Sequence, residues 1–230
     1  MKKKLRLSSE ERRSKIIDAA RPLCSEKGFH GVTTRELAVE AGVSEALIFQ
    51  HFPSKEAIYA AMLALCQNSE TWSEAYKLLE LEPSTSTLAI MLHFIGKKVL
   101  AGDEEMRSLH RLMLRSLSED GEYARVVFKH IKSTWVNKLD ACAIAAWKAG
   151  DLRDGLEKPV CAGWLAQHIF LMLAFSHTPV PSAANYTVPR SALLENAVIF
   201  CLRGVGVRDD AIKKYYNPKA FGLLAADAVM

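Results

Sequence analysis

Between Thr33 and Lys55 the sequence TTRELAVEAGVSEALIFQHFPSK places Glu45, Ala46, Phe49 and Gln50 on what would be the outward face of one short helix. A carboxylate, a methyl group, a ring and a primary amide side by side are groups that can pair with or pack on the edges of bases in a groove. Bond-making chemistry finds no comparable footing. The chain has no P-loop, no H-E-x-x-H and no nucleophile elbow, and the G-x-G at Gly204 to Gly206 lacks a preceding strand and a third glycine. The seven histidines show no metal-ligand spacing. Neither an enzyme nor a metal or cofactor site is expected.

The elements that would position those side chains follow from local rules. Thr33 with Glu36 three residues later is a capping box, so a helix should start at Thr34 and carry Leu37, Ala38 and Ala41 on one apolar face. Gly42 ends it in a left-handed turn, Val43 plugs the turn, and Ser44 is a good N-cap for a second helix over residues 45–51. At 1.5 Å per residue that helix is roughly 10 Å long, a fit to a groove about 12 Å wide. Leu47, Ile48 and Phe52 can pack it against the first helix. Pro53 breaks the ladder and Ser54 caps the next helix, which leaves Lys55 in its first turn. This is the order of a helix-turn-helix. A plain helical hairpin of an all-α protein would carry the same caps, so the pair alone does not decide.

Upstream, Ser8 and Glu11 form another capping box for a helix from about Ser9 to Lys27, with Ile16, Ile17, Ala20, Leu23 and Cys24 on its stripe and Gly28 as its stop. Pro22 falls inside it and should kink or shorten it. Residues 1–15 hold seven Lys or Arg against two Glu, a local +5 where the whole chain is +4. Such a concentration suits an arm on phosphates, and equally a solvated terminus.

Taken together, residues 9–60 resemble the N-terminal domain of the tetracycline-repressor (TetR) family of bacterial transcription regulators. The resemblance is carried by the opening helix ending EKGF at Glu26 to Phe29, by TTRELAVEAGVS at Thr33 to Ser44, by a short helix ending in His51 and Phe52, and by SKE at Ser54 to Glu56. It implies that Thr33, Thr34 and Arg35 hold phosphate and reach a base edge, that Ser44, Glu45, Ala46 and Leu47 open the recognition helix, and that Gln50 meets a base. Gln can pair bidentately with adenine and Glu45 can accept from a cytosine amino group. His51 and Lys55 are implied to meet the backbone, Lys55 aided by its helix N-terminus. Phe49 stands where the family often has tyrosine, losing a phosphate hydroxyl and keeping a ring for a thymine methyl. Glu45 stands where a basic residue is common.

The resemblance also implies double-stranded DNA with a palindromic operator as partner, repression as the sign of regulation, and a homodimer. Composition permits this: 230 residues, 50% apolar and 24% charged, make one or two folded domains with a substantial core. The apolar stretch from Ala162 to Phe175 is interrupted by Gln167 and His168 and is too short for a membrane span, and no signal-peptide core precedes the first helix, so a cytoplasmic protein without membrane partner is expected. Cysteines 24, 66, 142, 161 and 201 read as small apolar residues in helices, with a redox-sensing thiol as the other reading.

Beyond residue 55 the pattern is helix after helix: one from Lys55 toward Tyr76 or Leu79, then 87–101, 104–117, 120–149, 159–177 and 190–203, with loops at 82–87 and 178–189. The expected fold is all-α, a three-helix head over residues 1–54 and a larger helical domain over residues 55–230. Helices 159–177 and 190–203 are apolar around most of their circumference, and the resemblance places such a pair in a four-helix dimer interface, here through Trp164, Leu171, Met172, Phe175, Leu194, Val198 and Leu202. Core packing within one chain would also account for them. Trp72, Tyr76, His93, Phe94, His110, Met113, Phe128, Trp135 and His168 could line a pocket for an apolar or aromatic effector, a reading that rests on the resemblance against ordinary core packing. A DNA-anchored adaptor, whose helical domain binds a protein through a tail carrying Tyr215, Tyr216, Phe221, Leu223 and Leu224, is the competing function.

Overall fold

A computed structural model describes residues 8–28, 31–67, 76–101 and 104–221 of the chain, with the side chains at 55, 63, 65–67 and 105 outside that description. All regular structure among these residues is helical. The helices are α1 (Ser9–Lys27), α2 (Thr34–Ala41), α3 (Glu45–His51), α4 (Lys55–Gln67), α5 (Thr85–Leu100), α6 (Glu104–Ser118), α7 (Glu122–Ile131), α8 (Asn137–Lys148), α9 (Ala162–His177), α10 (Arg190–Val205) and α11 (Asp209–Tyr215). The one β contact among the described residues is an isolated antiparallel bridge between Leu152 and Val207. No helix among the described residues is long and apolar enough to cross a membrane.

Two compact units emerge. The first holds residues 1–69 and 104–128, so the helix-turn-helix head is joined by α4, α6 and most of α7. Its apolar centre is Ile16, Ile17, Ala20 and Cys24 of α1, Leu37 and Ala38 of α2, Ile48 and Phe52, and Ile58, Tyr59 and Met62 of α4, all buried. Each large side chain among them contributes about 1.5–3 kcal/mol. From α6 come Leu109, Leu112 and Met113, and Tyr59 meets Tyr123 of α7 with ring centroids 5.0 Å apart. Gly28 ends α1 at φ 69°, with its N–H donated to the Cys24 carbonyl. α1 runs through Pro22 to Lys27, the bounds expected of it.

The second unit holds residues 70–103 and 129–230 and is built around α5, which packs on α8, α9, α10 and α11. Close approach is permitted by Gly96, where an added Cβ would lie 2.6 Å from both Leu194 and Phe170. The single helix expected over 120–149 is three pieces, because residues Lys132–Val136 form a π-helical stretch between α7 and α8. The helix expected from Pro159 begins at Ala162, after Cys161 adopts a left-handed φ of 57°. A further helix, α11, follows Gly206, and Arg153 N–H to Gly206 O and Arg208 N–H to Asp151 O hold the two chain segments beside it together. Residues 68–75, over which the helix from Lys55 was expected to continue, lie outside the described residues.

Candidate nucleic-acid interface

The site is built by α2, α3 and the start of α4, each opened by a side-chain cap. At the start of α2 the Thr33 hydroxyl accepts from the Glu36 N–H at 3.1 Å, and the Glu36 carboxylate accepts in return from the Thr33 N–H at 2.9 Å. Lys27, in the last turn of α1, reaches the other oxygen of that carboxylate at 2.9 Å. The Thr33 backbone donor, then Lys27, hold the Glu36 carboxyl down to about 2, below the ordinary carboxylate value of 4.5. Gly42 leaves α2 at φ 65°, ψ 37°, and the Val43 N–H returns to the Ala38 carbonyl at 3.0 Å. This is the six-to-one closure that a glycine at the helix exit allows.

Ser44 then opens α3, its hydroxyl accepting from the Leu47 N–H at 3.2 Å. Ile48 and the following Phe52 are buried beneath α3 and Leu47 is half-buried, so one face is fixed to the head. The opposite face carries Glu45, Ala46, Phe49 and Gln50, all exposed, Phe49 to 60%. Thr33, Arg35 and Ser44 are exposed at the helix starts beside it, with Thr34 and His51 half-buried. Val39 on α2 is also exposed, to 75%, and was absent from the sequence expectation because it sits off the apolar stripe. Lys55 is the first residue of α4, whose N-terminus is capped by the Ser54 hydroxyl, which accepts from the Ala57 N–H at 3.3 Å.

Known proteins agree with this geometry. A sequence profile for bacterial regulatory proteins of the tetR family matches residues 16–62. That match takes in the whole of α2 and α3. It is similar to the fatty acid metabolism regulator protein of Bacillus subtilis, 28% identical over 144 residues that cover 62% of this chain and 71% of that protein. Among solved structures it resembles NalD, the secondary repressor of the MexAB-OprM multidrug efflux pump in Pseudomonas aeruginosa, with a TM-score of 0.66 at 20% identity over 88% of this chain and 100% of that one. It also resembles the transcriptional regulator FadR from Bacillus subtilis in complex with stearoyl-CoA, with a TM-score of 0.57 at 17% identity over 83% and 98% of the two chains. At those identities the likeness is one of fold. Residues 16–62 thus carry the DNA-binding region of a bacterial transcription regulator, with α2 and α3 inside it.

The residues expected to line an effector pocket are dispersed. Tyr76 stacks near Trp135 with centroids 5.3 Å apart, and the Tyr76 hydroxyl and Thr134 both lie within 3.4 Å of His130 Nε2. His93 and Phe94 sit elsewhere in the second unit, where His93 Nδ1 meets the Tyr216 hydroxyl at 3.1 Å beside Phe221. Burial, then Lys97, holds the His93 imidazole below the usual histidine value, so it is a neutral hydrogen-bonding group. His110 and Met113 are buried in the first unit, Phe128 is half-buried on α7, and His168 is exposed and stacked on Trp164. Trp72 lies outside the described residues.

The expected dimer residues divide in a similar way. Leu194, Val198 and Leu202 lie in the core of their own chain, because α10 turns that face onto α5, and Leu171 on α9 is buried. Met172 is 65% exposed, with Trp164 and Phe175 half-buried. The outward face of the pair is instead made by Val160, Leu165, Met172 and Phe200, around a cleft of about 750 Å³. Burial pushes the Cys142 thiol up and the Cys201 thiol up to about 12, which leaves both poor candidates for a redox sensor.

Proposed function

We propose that the chain acts as a homodimer that binds a palindromic operator through two copies of α3 and represses transcription until a small apolar or aromatic molecule releases it. The carrying observation is the exposed row Glu45, Ala46, Phe49 and Gln50 on a seven-residue helix with closed ends. One helix of that length touches few base pairs. Two copies about 34–36 Å apart, or a multiple of one DNA turn, supply useful specificity. Thr33, Thr34, Arg35, His51 and Lys55 provide the phosphate contacts that set register, and Gln50 the base contact.

Pairing is supported by the outward apolar face of α9 and α10. Val160, Leu165, Met172 and Phe200 are exposed to 77, 64, 65 and 66% respectively, a cost in water that a second copy of the same face would remove. The effector reading is supported by the half-buried Tyr76 and His130 beside the buried Trp135 in the second unit and by a structural relative that holds stearoyl-CoA, so an acyl chain is the first compound class to test. An effector that prefers the DNA-incompetent spacing by about 1–3 kcal/mol lowers operator affinity roughly 5- to 150-fold, and the operator weakens effector binding by the same factor.

The test is a thermal-shift screen of acyl thioesters and small aromatics, followed by operator binding with and without each hit. A compound that stabilises the chain and displaces DNA supports the reading. Stabilisation by a protein partner alone, with every small molecule inert, overturns the effector part in favour of the adaptor.

A further inference from the structure

The recognition helix ends in an awkward place. A seven-residue helix leaves most of its carbonyls in the last turn without an intrahelical partner, and here the residue after Phe52 is Pro53, which has no N–H to offer. The Phe52 N–H satisfies the Ile48 carbonyl at 2.8 Å, and the Phe49 carbonyl, whose partner would be the N–H of residue 53, has none along the helix. Two residues on, at the same helix end, the His51 carbonyl takes a donor from far away in sequence. Arg13 on α1 gives an Nη1 hydrogen bond to the His51 carbonyl at 2.8 Å. Its guanidinium carbon also lies 4.2 Å above the centroid of the Phe52 ring, and that ring is itself buried to 2% exposure.

We propose that Arg13 is a positioning residue for DNA recognition, which fixes the C-terminal end of α3 against α1 and so sets the angle at which Glu45, Phe49 and Gln50 meet the bases. Two constraints act on one planar group. The stack on Phe52 fixes the plane of the guanidinium and the hydrogen bond fixes its direction within that plane, which an ammonium group cannot reproduce. The cation also sits at the negative end of the helix dipole. With Ser44 holding the other end, α3 is held at both termini and not only by its buried face. Arg13 belongs to the basic stretch that charge counting assigns to phosphates, yet its guanidinium is engaged by the Phe52 ring and the His51 carbonyl while the residue stays exposed.

The inference rests on α3 being the recognition helix. It is tested with the full chain, a palindromic operator obtained by selection from genomic DNA, and an unrelated duplex of equal length, at several salt concentrations. Arg13→Gln is expected to lower operator affinity roughly 10-fold, the scale of one mismatched base pair, while affinity for the unrelated duplex and the salt slope stay unchanged. Arg13→Lys should lose as much discrimination as Arg13→Gln. Phe52→Leu, which keeps an apolar plug and removes the ring, should lose discrimination too and add nothing when combined with Arg13→Gln. A parallel fall on both duplexes with a salt slope smaller by about one unit would make Arg13 a phosphate contact and overturn the proposal. So would unaltered discrimination in the Arg13 variants, or a lowered thermal midpoint with discrimination intact. A wild-type chain that binds neither duplex would instead overturn the reading of α3 itself.

Discussion

Lys27 and Glu36 meet at 2.9 Å, so the last turn of α1 and the first turn of α2 share a single carboxylate. That oxygen pair also closes the capping box on Thr33. The head is therefore sensitive to the protonation of one exposed group. The Glu36 carboxyl is held at about 2 in the folded chain against 4.5 ordinarily, so its stabilising effect is complete above the ordinary value and disappears as pH falls from there toward 2. Glu36→Gln should lower the thermal midpoint of the head at neutral pH, and the gap to the unsubstituted chain should close as pH approaches 2.5. Circular dichroism melts across that range check it. Thr33→Ala, which removes the hydroxyl half of the same box, should cost about 1 kcal/mol in chemical denaturation at neutral pH.

Two glycine substitutions separate the units. Gly96→Ala puts a methyl 2.6 Å from Leu194 and from the fully buried Phe170. Overpacking of about 1–3 kcal/mol outweighs the helix-propensity gain of about 1 kcal/mol, so the second unit should lose stability. Gly42→Ala meets no atom within 4 Å, but must hold φ at +65°. Its penalty of about 1–2 kcal/mol should fall on the head alone. Hydrogen exchange resolved by segment distinguishes the two, with faster exchange in α5 and α10 for the first and in α2 and α3 for the second.

Much of the head was legible because its boundaries are set by neighbouring residues. Ser8, Thr33 and Ser44 cap the helices they were expected to cap, and Gly28 and Gly42 stop them, with α1, α2 and α3 spanning 9–27, 34–41 and 45–51 as expected. What was hidden depends on distant partners. α9 and α10 are apolar all round, so periodicity cannot say which face turns inward. Val198 and Leu202 went to the core while Leu165 and Phe200 stayed outside. His93 finds its partner Tyr216 across 123 residues. Arg13 reads as one more surface cation until the Phe52 ring and the His51 carbonyl are set beside it. The π-helical stretch at Lys132–Val136 carries no proline or glycine that would have marked it.

The proposed pairing face predicts a change of mass. Leu165→Glu combined with Phe200→Glu places two carboxylates where each copy would face the other, while both positions are exposed in the single chain. Sedimentation should show a dimer for the unsubstituted chain and a monomer for the double variant, with an unchanged circular dichroism spectrum. Operator affinity should fall by more than 100-fold, as a lone half-site contact forfeits roughly half of the base readout. A dimer that persists in the double variant would place the interface elsewhere.

The central claim is that α3 reads sequence through its outward face, and Gln50 on that face offers the most direct test. The measurement is an anisotropy titration of the full chain and of Gln50→Ala on the selected operator and on duplexes carrying every single-base change in one half-site. The account predicts that Gln50→Ala loses preference at one position per half-site, worth about 1–3 kcal/mol, with the salt slope and the other positions unaltered. If Gln50→Ala retains the full pattern of preferences, α3 does not read the bases in the way proposed and the claim is wrong.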